Sequence, residues 1–193
     1  NISLAHTNAS YETAKEALEA GANHVVHLFN AMTGFTHREP GVVGATFDTD
    51  ITTETISDGI HISYPSLRIA YKQKGTDKTL LVTDAMCACG MPDGKYALGG
   101  QPVIVKNGAA RLENGALAGS VLTLNKAIKN IYENTDYPLY EIIKMASYNG
   151  AKYCKVDNKK GQIKENFDAD LVVFDENIDI KITIIGGKVV YSN

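Results

Sequence analysis

The sequence predicts an α/β protein: part of a parallel α/β barrel joined to a smaller β-rich module. Three apolar runs, Ile2-Ser-Leu-Ala5, Val25-Val26 and Leu80-Leu-Val-Thr83, lead directly into His6, His27 and Asp84. Parallel strands buried on both faces read as such runs, and α/β barrels carry their reactive groups at the strand C-termini. Helix-type patterns lie between the runs, and strand–helix–strand order calls for parallel pairing. The chain opens only five residues before His6, so it reads as the back half of a larger enzyme.

The elements follow in order. Ser10 can cap a helix with Glu12 in its first turn, Ala14, Ala17 and Leu18 on one face and Gly21 at the stop. His24 to Phe29 is the next strand. Ile51 to Ile60 alternates and ends at Asp58-Gly59-Ile60-His61. Pro65 suits the first position of a helix bearing Leu67, Ala70 and Tyr71, with Gly75 after it, and Thr79 to Thr83 delivers Asp84. Residues 1–93 are therefore assigned to the barrel. Residues 94–117 form a β-rich segment, with strands punctuated by Gly99-Gly100 and a meander from Val103 to Leu117 that turns at Asn107-Gly108. Residues 118–157 carry two helical faces. One shows Val121, Leu124, Ala127, Ile128 and Ile131; the other shows Leu139, Ile142, Ile143 and Ala146, with Gly150 as terminator. Residues 158–193 return to strands at Asp170–Asp175, Ile180–Ile185 and Lys188–Tyr191.

Composition narrows the function. A hydrophobic fraction of 44% in 193 residues is enough to bury a core. A formal charge of −3 leaves no basic footprint for nucleic acid. No apolar stretch approaches the roughly 20 residues of a membrane span, and no signal pattern opens the chain. Three cysteines, Cys87, Cys89 and Cys154, have no framework spacing, which fits a reducing cytoplasm. Cys87 and Cys89 read as two small buried thiols.

Imidazole suits zinc and similar ions, and His6 and His27 stand one βα unit apart at strand ends. A single histidine is ordinarily a surface or hydrogen-bonded core residue; two in this placement suggest ligation. His24, three residues from His27 along a strand, faces the other way and reads as structural. Asp84 could take a proton from water beside a cation, serve as a ligand itself, or simply cap a turn. Arg38 offers a bidentate clamp for phosphate or carboxylate, although a solvated arginine near a turn is the plainer reading. His61 offers a neutral donor at the rim, or a capped turn with Asp58. Ala118-Gly119-Ser120 could present backbone N–H groups to substrate, and Ser120 could equally be an N-cap.

Taken together, Ala5-His6-Thr-Asn-Ala9, His27-Leu-Phe-Asn-Ala-Met32, Arg38-Glu-Pro-Gly41, Asp58-Gly-Ile-His61, Leu81-Val-Thr-Asp-Ala85 and Leu117-Ala-Gly-Ser120 resemble the N-acetylglucosamine-6-phosphate deacetylase family of the amidohydrolase superfamily. The resemblance runs over nearly the whole chain and implies the back half of a metal-dependent (β/α)8 amidohydrolase barrel, with part of a small β-sandwich domain. It implies His6 and His27 as ligands of a divalent metal, zinc or iron, in a site of one or two ions. Asp84 is then the acid/base. His61 binds substrate and polarises its carbonyl, Asn30 and Ala31 contact phosphate, and Leu117, Ala118, Gly119 and Ser120 line the sugar site. Arg38 reaches the phosphate across a homodimer interface. In the family the third ligand is a glutamate from an earlier strand, and a further substrate-binding histidine lies upstream, so this chain alone is expected to be inactive. The alternatives are another amidohydrolase, such as a dihydroorotase-like or hydantoinase-like cyclic amidase, and a non-catalytic scaffold fragment.

Overall fold

The structure, a computed structural model, describes residues 1–193. Strands β1 (Ser3–Leu4), β2 (His24–Val25), β3 (Thr52–Ile56) and β4 (Thr79–Val82) form one parallel sheet in that spatial order. Unreversed sequential order is the signature of a barrel segment, because a doubly wound sheet switches direction partway. Helices α1 (Tyr11–Glu19), α2 (Gly41–Asp48) and α3 (Tyr64–Lys74) make the three crossovers. Ser10 caps α1 by accepting from the Thr13 N–H, and Pro65 sits in the first turn of α3, which Gly75 closes.

Two strands are shorter than the apolar runs suggest. β2 stops at Val25 because the chain turns left-handed at His27 and Phe29, although the Val26 and Leu28 N–H groups still reach Leu4 and Glu54 carbonyls. β3 stops at Ile56, short of the anticipated Ile60, where the Asp58 carboxylate takes the Ile60 and His61 N–H groups out of the ladder.

The sequence reading misses α2. Its residues Gly41 to Thr46 are buried on every side, so no amphipathic period exists to reveal it, and two glycines plus β-branched residues argue against a helix by propensity. Gly44 is there for clearance, since an added Cβ would lie 2.2 Å from Pro40 Cβ.

Helices α4 (Leu124–Asn134) and α5 (Leu139–Ala146) pack beside α3 on the sheet. Ala127, Ile131, Ile142 and Met145 join Ile56, Leu67, Tyr71 and Leu81 in the largest core cluster. α5 does not run to Gly150. It breaks at Ser147, and Gly150 lies inside a further helix, α6 (Tyr148–Tyr153).

The β-rich parts are two separate antiparallel sheets. β5 (Gly94–Leu98), β6 (Gln101–Lys106) and β7 (Ala109–Leu112) turn at Asn107 and Gly108, both at positive φ as a two-residue hairpin requires. Met86, Val103, Val105, Ala110 and Ala118 seal this sheet to the loop after β4. β8 (Leu171–Phe174), β9 (Ile180–Ile185) and β10 (Lys188–Ser192) form the other, leaving Val172, Val173, Val189 and Val190 exposed. The expected burial of Cys87 and Cys89 is not met: Cys87 is exposed and Cys89 half-buried, and Cys154 is exposed as well. No helix is long and apolar enough to cross a membrane.

Behind the sheet the Tyr71 hydroxyl lies 2.9 Å from both Thr55 Oγ1 and Ser57 Oγ, and burial pushes its phenol up to about 12. Tyr71→Phe is expected to cost about 1–3 kcal/mol by leaving buried hydroxyls underpaired. The measurement is the urea unfolding midpoint at constant m-value. An unchanged midpoint would mean that Thr55 and Ser57, 3.3 Å apart, satisfy each other.

Candidate active site

Each parallel strand is followed, two residues past its end, by a side chain able to do chemistry. His6 follows Leu4, His27 follows Val25, Asp58 follows Ile56 and Asp84 follows Val82. Three of the four bend the backbone into the left-handed region: φ is 40° at His6, 27° at His27 and 49° at Asp84. Phe29 and Ala31 do so as well, at 75° and 49°. Non-glycine residues held there cost about 1–3 kcal/mol each, and such strain gathers where a side chain must be aimed.

His6 and His27 are brought together. Their ring centroids are 4.9 Å apart and the planes cross at 80°. Two imidazoles on one tetrahedral ion, with nitrogens about 2.1 Å from it, would have centroids about 5 Å apart. His27 Nδ1 is buried without a hydrogen-bond partner. An orphaned polar atom of this kind is rare in a folded interior and marks a place for an absent partner. The pair therefore fits a divalent cation. It is not a complete ligand set, because no cluster of three or more His, Cys, Asp or Glu side chains forms within the chain.

His24 has a different environment. It is fully buried, with Nδ1 2.7 Å from Thr52 Oγ1 and the ring tilted against Tyr153 at 4.2 Å; Nε2 lies 3.1 Å from Glu54 Oε1 but, like His27 Nδ1, makes no hydrogen bond, and the Glu54 carboxylate beside it is the difference between the two. These neighbours hold it in the sheet.

Asp84 is exposed, and its backbone is clamped by the segment predicted to line the site. The Ser120 N–H donates to the Asp84 carbonyl at 2.8 Å, and the Met86 N–H donates back to the Ser120 carbonyl at 2.9 Å. Gly119 passes so close that an added Cβ would lie 3.2 Å from the Asp84 carbonyl oxygen. Ser120 itself is not an N-cap. Its hydroxyl donates to the Thr83 carbonyl and accepts from the Leu122 N–H, and α4 begins only after Thr123. Leu117 and Gly119 are partly open, whereas Ala118 and Ser120 are buried. Any contact from these two is therefore through backbone.

Asn30 Nδ2 donates to the His27 and Leu28 carbonyls, tying the loop after β2 to the strand end. The Ala31 carbonyl accepts from the Thr7 N–H, joining that loop to the one carrying His6. Arg38 stands exposed on the loop before α2. His61 is held by Asp58, a partnership the reading of Asp58-Gly-Ile-His61 as a capped turn catches only in part. Its Nδ1 is 2.7 Å from Asp58 Oδ2. Burial pushes the Asp58 carboxyl up, but the bonds from the His61 ring and from the His61 and Ile60 N–H groups outweigh it and leave it below the usual carboxylate range.

The amidohydrolase family profile matches residues 1–190. N-acetylglucosamine-6-phosphate deacetylases from Lysinibacillus sphaericus and Bacillus subtilis are 45% and 39% identical over 97% and 98% of this chain. An N-acetylgalactosamine-6-phosphate deacetylase from Escherichia coli O157:H7 is 37% identical over 97% of it. The chain spans about half the length of these relatives, 49%, 48% and 50% respectively. The crystal structure of N-acetylglucosamine-6-phosphate deacetylase from Pasteurella multocida matches 99% of this chain and 50% of its own, with a TM-score of 0.95 at 38% identity. A mutant of the Mycobacterium smegmatis deacetylase, in complex with N-acetyl-D-glucosamine-6-phosphate, matches 98% of this chain and 51% of its own, with a TM-score of 0.94 at 31% identity. The parallel sheet with histidines at its strand ends and the near-complete profile match agree: this chain belongs to the amidohydrolase family.

Proposed function

We propose that the full-length protein carrying this chain hydrolyses the acetamide of N-acetylglucosamine 6-phosphate, giving glucosamine 6-phosphate and acetate. The observation that carries the reading is the His6–His27 pair in strained backbone at adjacent strand ends, in a chain whose relatives are named for this reaction. His6 and His27 would hold a divalent ion, zinc or iron, whose partners are completed by a donor beyond these two rings. When bound, such an ion acts as a Lewis acid and lowers the pKa of water from about 15.7 to about 7.

The chain's own residues do the rest. Asp84 takes the proton from the attacking water and later delivers it to the nitrogen of the departing amine, so the C–N bond breaks with neutral amine as leaving group. His61 Nε2 donates to the carbonyl oxygen as negative charge develops there. Asn30 and Ala31 bind the phosphate, and the exposed Arg38 adds a guanidinium to the phosphate of a second copy in a homodimer. Remote binding of this kind orients the amide against the reacting groups. Leu117, Gly119 and the backbone of Ala118 and Ser120 lie along the sugar. Three free thiols fit a reducing compartment, and we place the protein in the cytoplasm.

The galactosamine relative favours a second reading, the epimeric substrate. Acetate release from both sugar phosphates by the purified full-length protein separates the two. The expected result is higher kcat/KM for N-acetylglucosamine 6-phosphate. Turnover of the galactosamine epimer alone favours the second reading, and turnover of a cyclic ureide with neither sugar consumed contradicts both.

A further inference from the structure

We propose that Asp58 is a positioning residue for His61, holding the ring with its proton on Nδ1 so that Nε2 is the nitrogen that addresses substrate. The inference rests on the role given to His61 above. Asp58 occupies the same place after β3 that His6, His27 and Asp84 occupy after their strands. Unlike those three, its side chain is hydrogen-bonded to a neighbouring side chain.

The two side chains are only 8% and 6% exposed. Asp58 Oδ1 accepts from the Ile60 and His61 N–H groups, both at 2.8 Å. That leaves Oδ2 for the ring, at 2.7 Å from Nδ1. An ionised carboxylate has no proton to give, so Nδ1 must donate. The tautomer is thus set by chemistry. His61 Nε2 has no partner in the chain and is not sealed from solvent, in contrast to the orphaned His27 Nδ1.

The surroundings reinforce the pairing. Gly59, at φ 74°, lets the turn lie under Tyr64, whose ring carbon Cζ would be 2.8 Å from an added Cβ. The Tyr64 phenol is raised by burial and then by the charges of Asp58 and Glu133, so it stays neutral beside the pair. Glu133 lies on α4.

With Nδ1 committed to a carboxylate, a neutral ring offers Nε2 only as an acceptor. It can donate to a carbonyl oxygen only as the imidazolium.

The test uses the full-length protein labelled with 15N-histidine, the His61 ring being identified by its loss in His61→Gln. Long-range 1H–15N spectra near neutral pH are expected to show His61 with Nδ1 protonated, alone or in the imidazolium. A neutral ring protonated at Nε2 overturns the proposal without any Asp58 variant having to fold. Asp58→Asn keeps an oxygen for the two backbone N–H groups but presents an amide N–H to Nδ1. It should switch the ring to the neutral Nε2–H form, a weaker donor than the imidazolium, and lower kcat by about 10–100-fold with little change in KM. An unchanged ring signature or an unchanged kcat contradicts the positioning role. The spectra involve no substrate, so a protein that fails to hydrolyse N-acetylglucosamine 6-phosphate would refute the proposed activity while leaving the ring result to stand separately.

Discussion

Asp84→Asn is expected to lower turnover of the full-length protein by about 10²–10⁴-fold, the usual span for loss of a positioned acid/base. The substitution is informative because the local structure should tolerate it. Asparagine matches the size of aspartate and adopts the left-handed backbone that Asp84 needs at φ 49° about as readily. The bonds that hold the loop against Ser120 come from the Asp84 backbone carbonyl and the Met86 N–H, which the side chain does not supply. Folding and substrate affinity should therefore persist while proton transfer fails. A variant with near-normal kcat would remove Asp84 from the chemistry and leave it as a loop residue.

His27→Ala should strip the protein of stoichiometric metal and cost more activity than the about 10–100-fold typical of residues that merely support a ligand. Stability separates the two readings of this histidine. A core histidine satisfied by hydrogen bonds would destabilise the fold when removed. His27 Nδ1 instead has no partner, so truncation deletes a desolvated polar atom whose burial is itself costly. The metal-free variant is expected to unfold at the same urea concentration as the metal-free parent, or a higher one. Retained stoichiometric metal, or a clear fall in the metal-free midpoint, would make His27 structural.

The sequence exposes some of this and hides the rest for physical reasons. The parallel strands and α1 and α3 are legible because apolar runs, a serine cap and a proline in the first turn are local signals. α2 is hidden because burial on all sides erases periodicity. Gly150 misleads as a terminator because the actual break is at Ser147, whose backbone departs from helical angles with no glycine involved. The candidate site shows the same division. His6, His27 and Asp84 are visible because each follows an apolar run. The approach of the two histidines is only partly visible, since their ring proximity depends on left-handed turns that no residue type announces. Ser120 looks like a cap, yet its hydroxyl braces the end of β4 through Thr83, a contact across 37 positions of sequence. Asp58 and His61 are read as a turn, and the turn exists, but the ring contact that gives it chemical meaning requires coordinates.

The most direct measurement is anomalous diffraction at the zinc and iron edges from crystals of the full-length protein. The expected result is a peak within bonding distance of one ring nitrogen each of His6 and His27, with the Asp84 carboxylate facing the same ion. A map with no peak between those two rings, or with the metal bound elsewhere while both imidazoles find protein partners, would contradict the assignment of this strand-end pair as the heart of a hydrolytic centre.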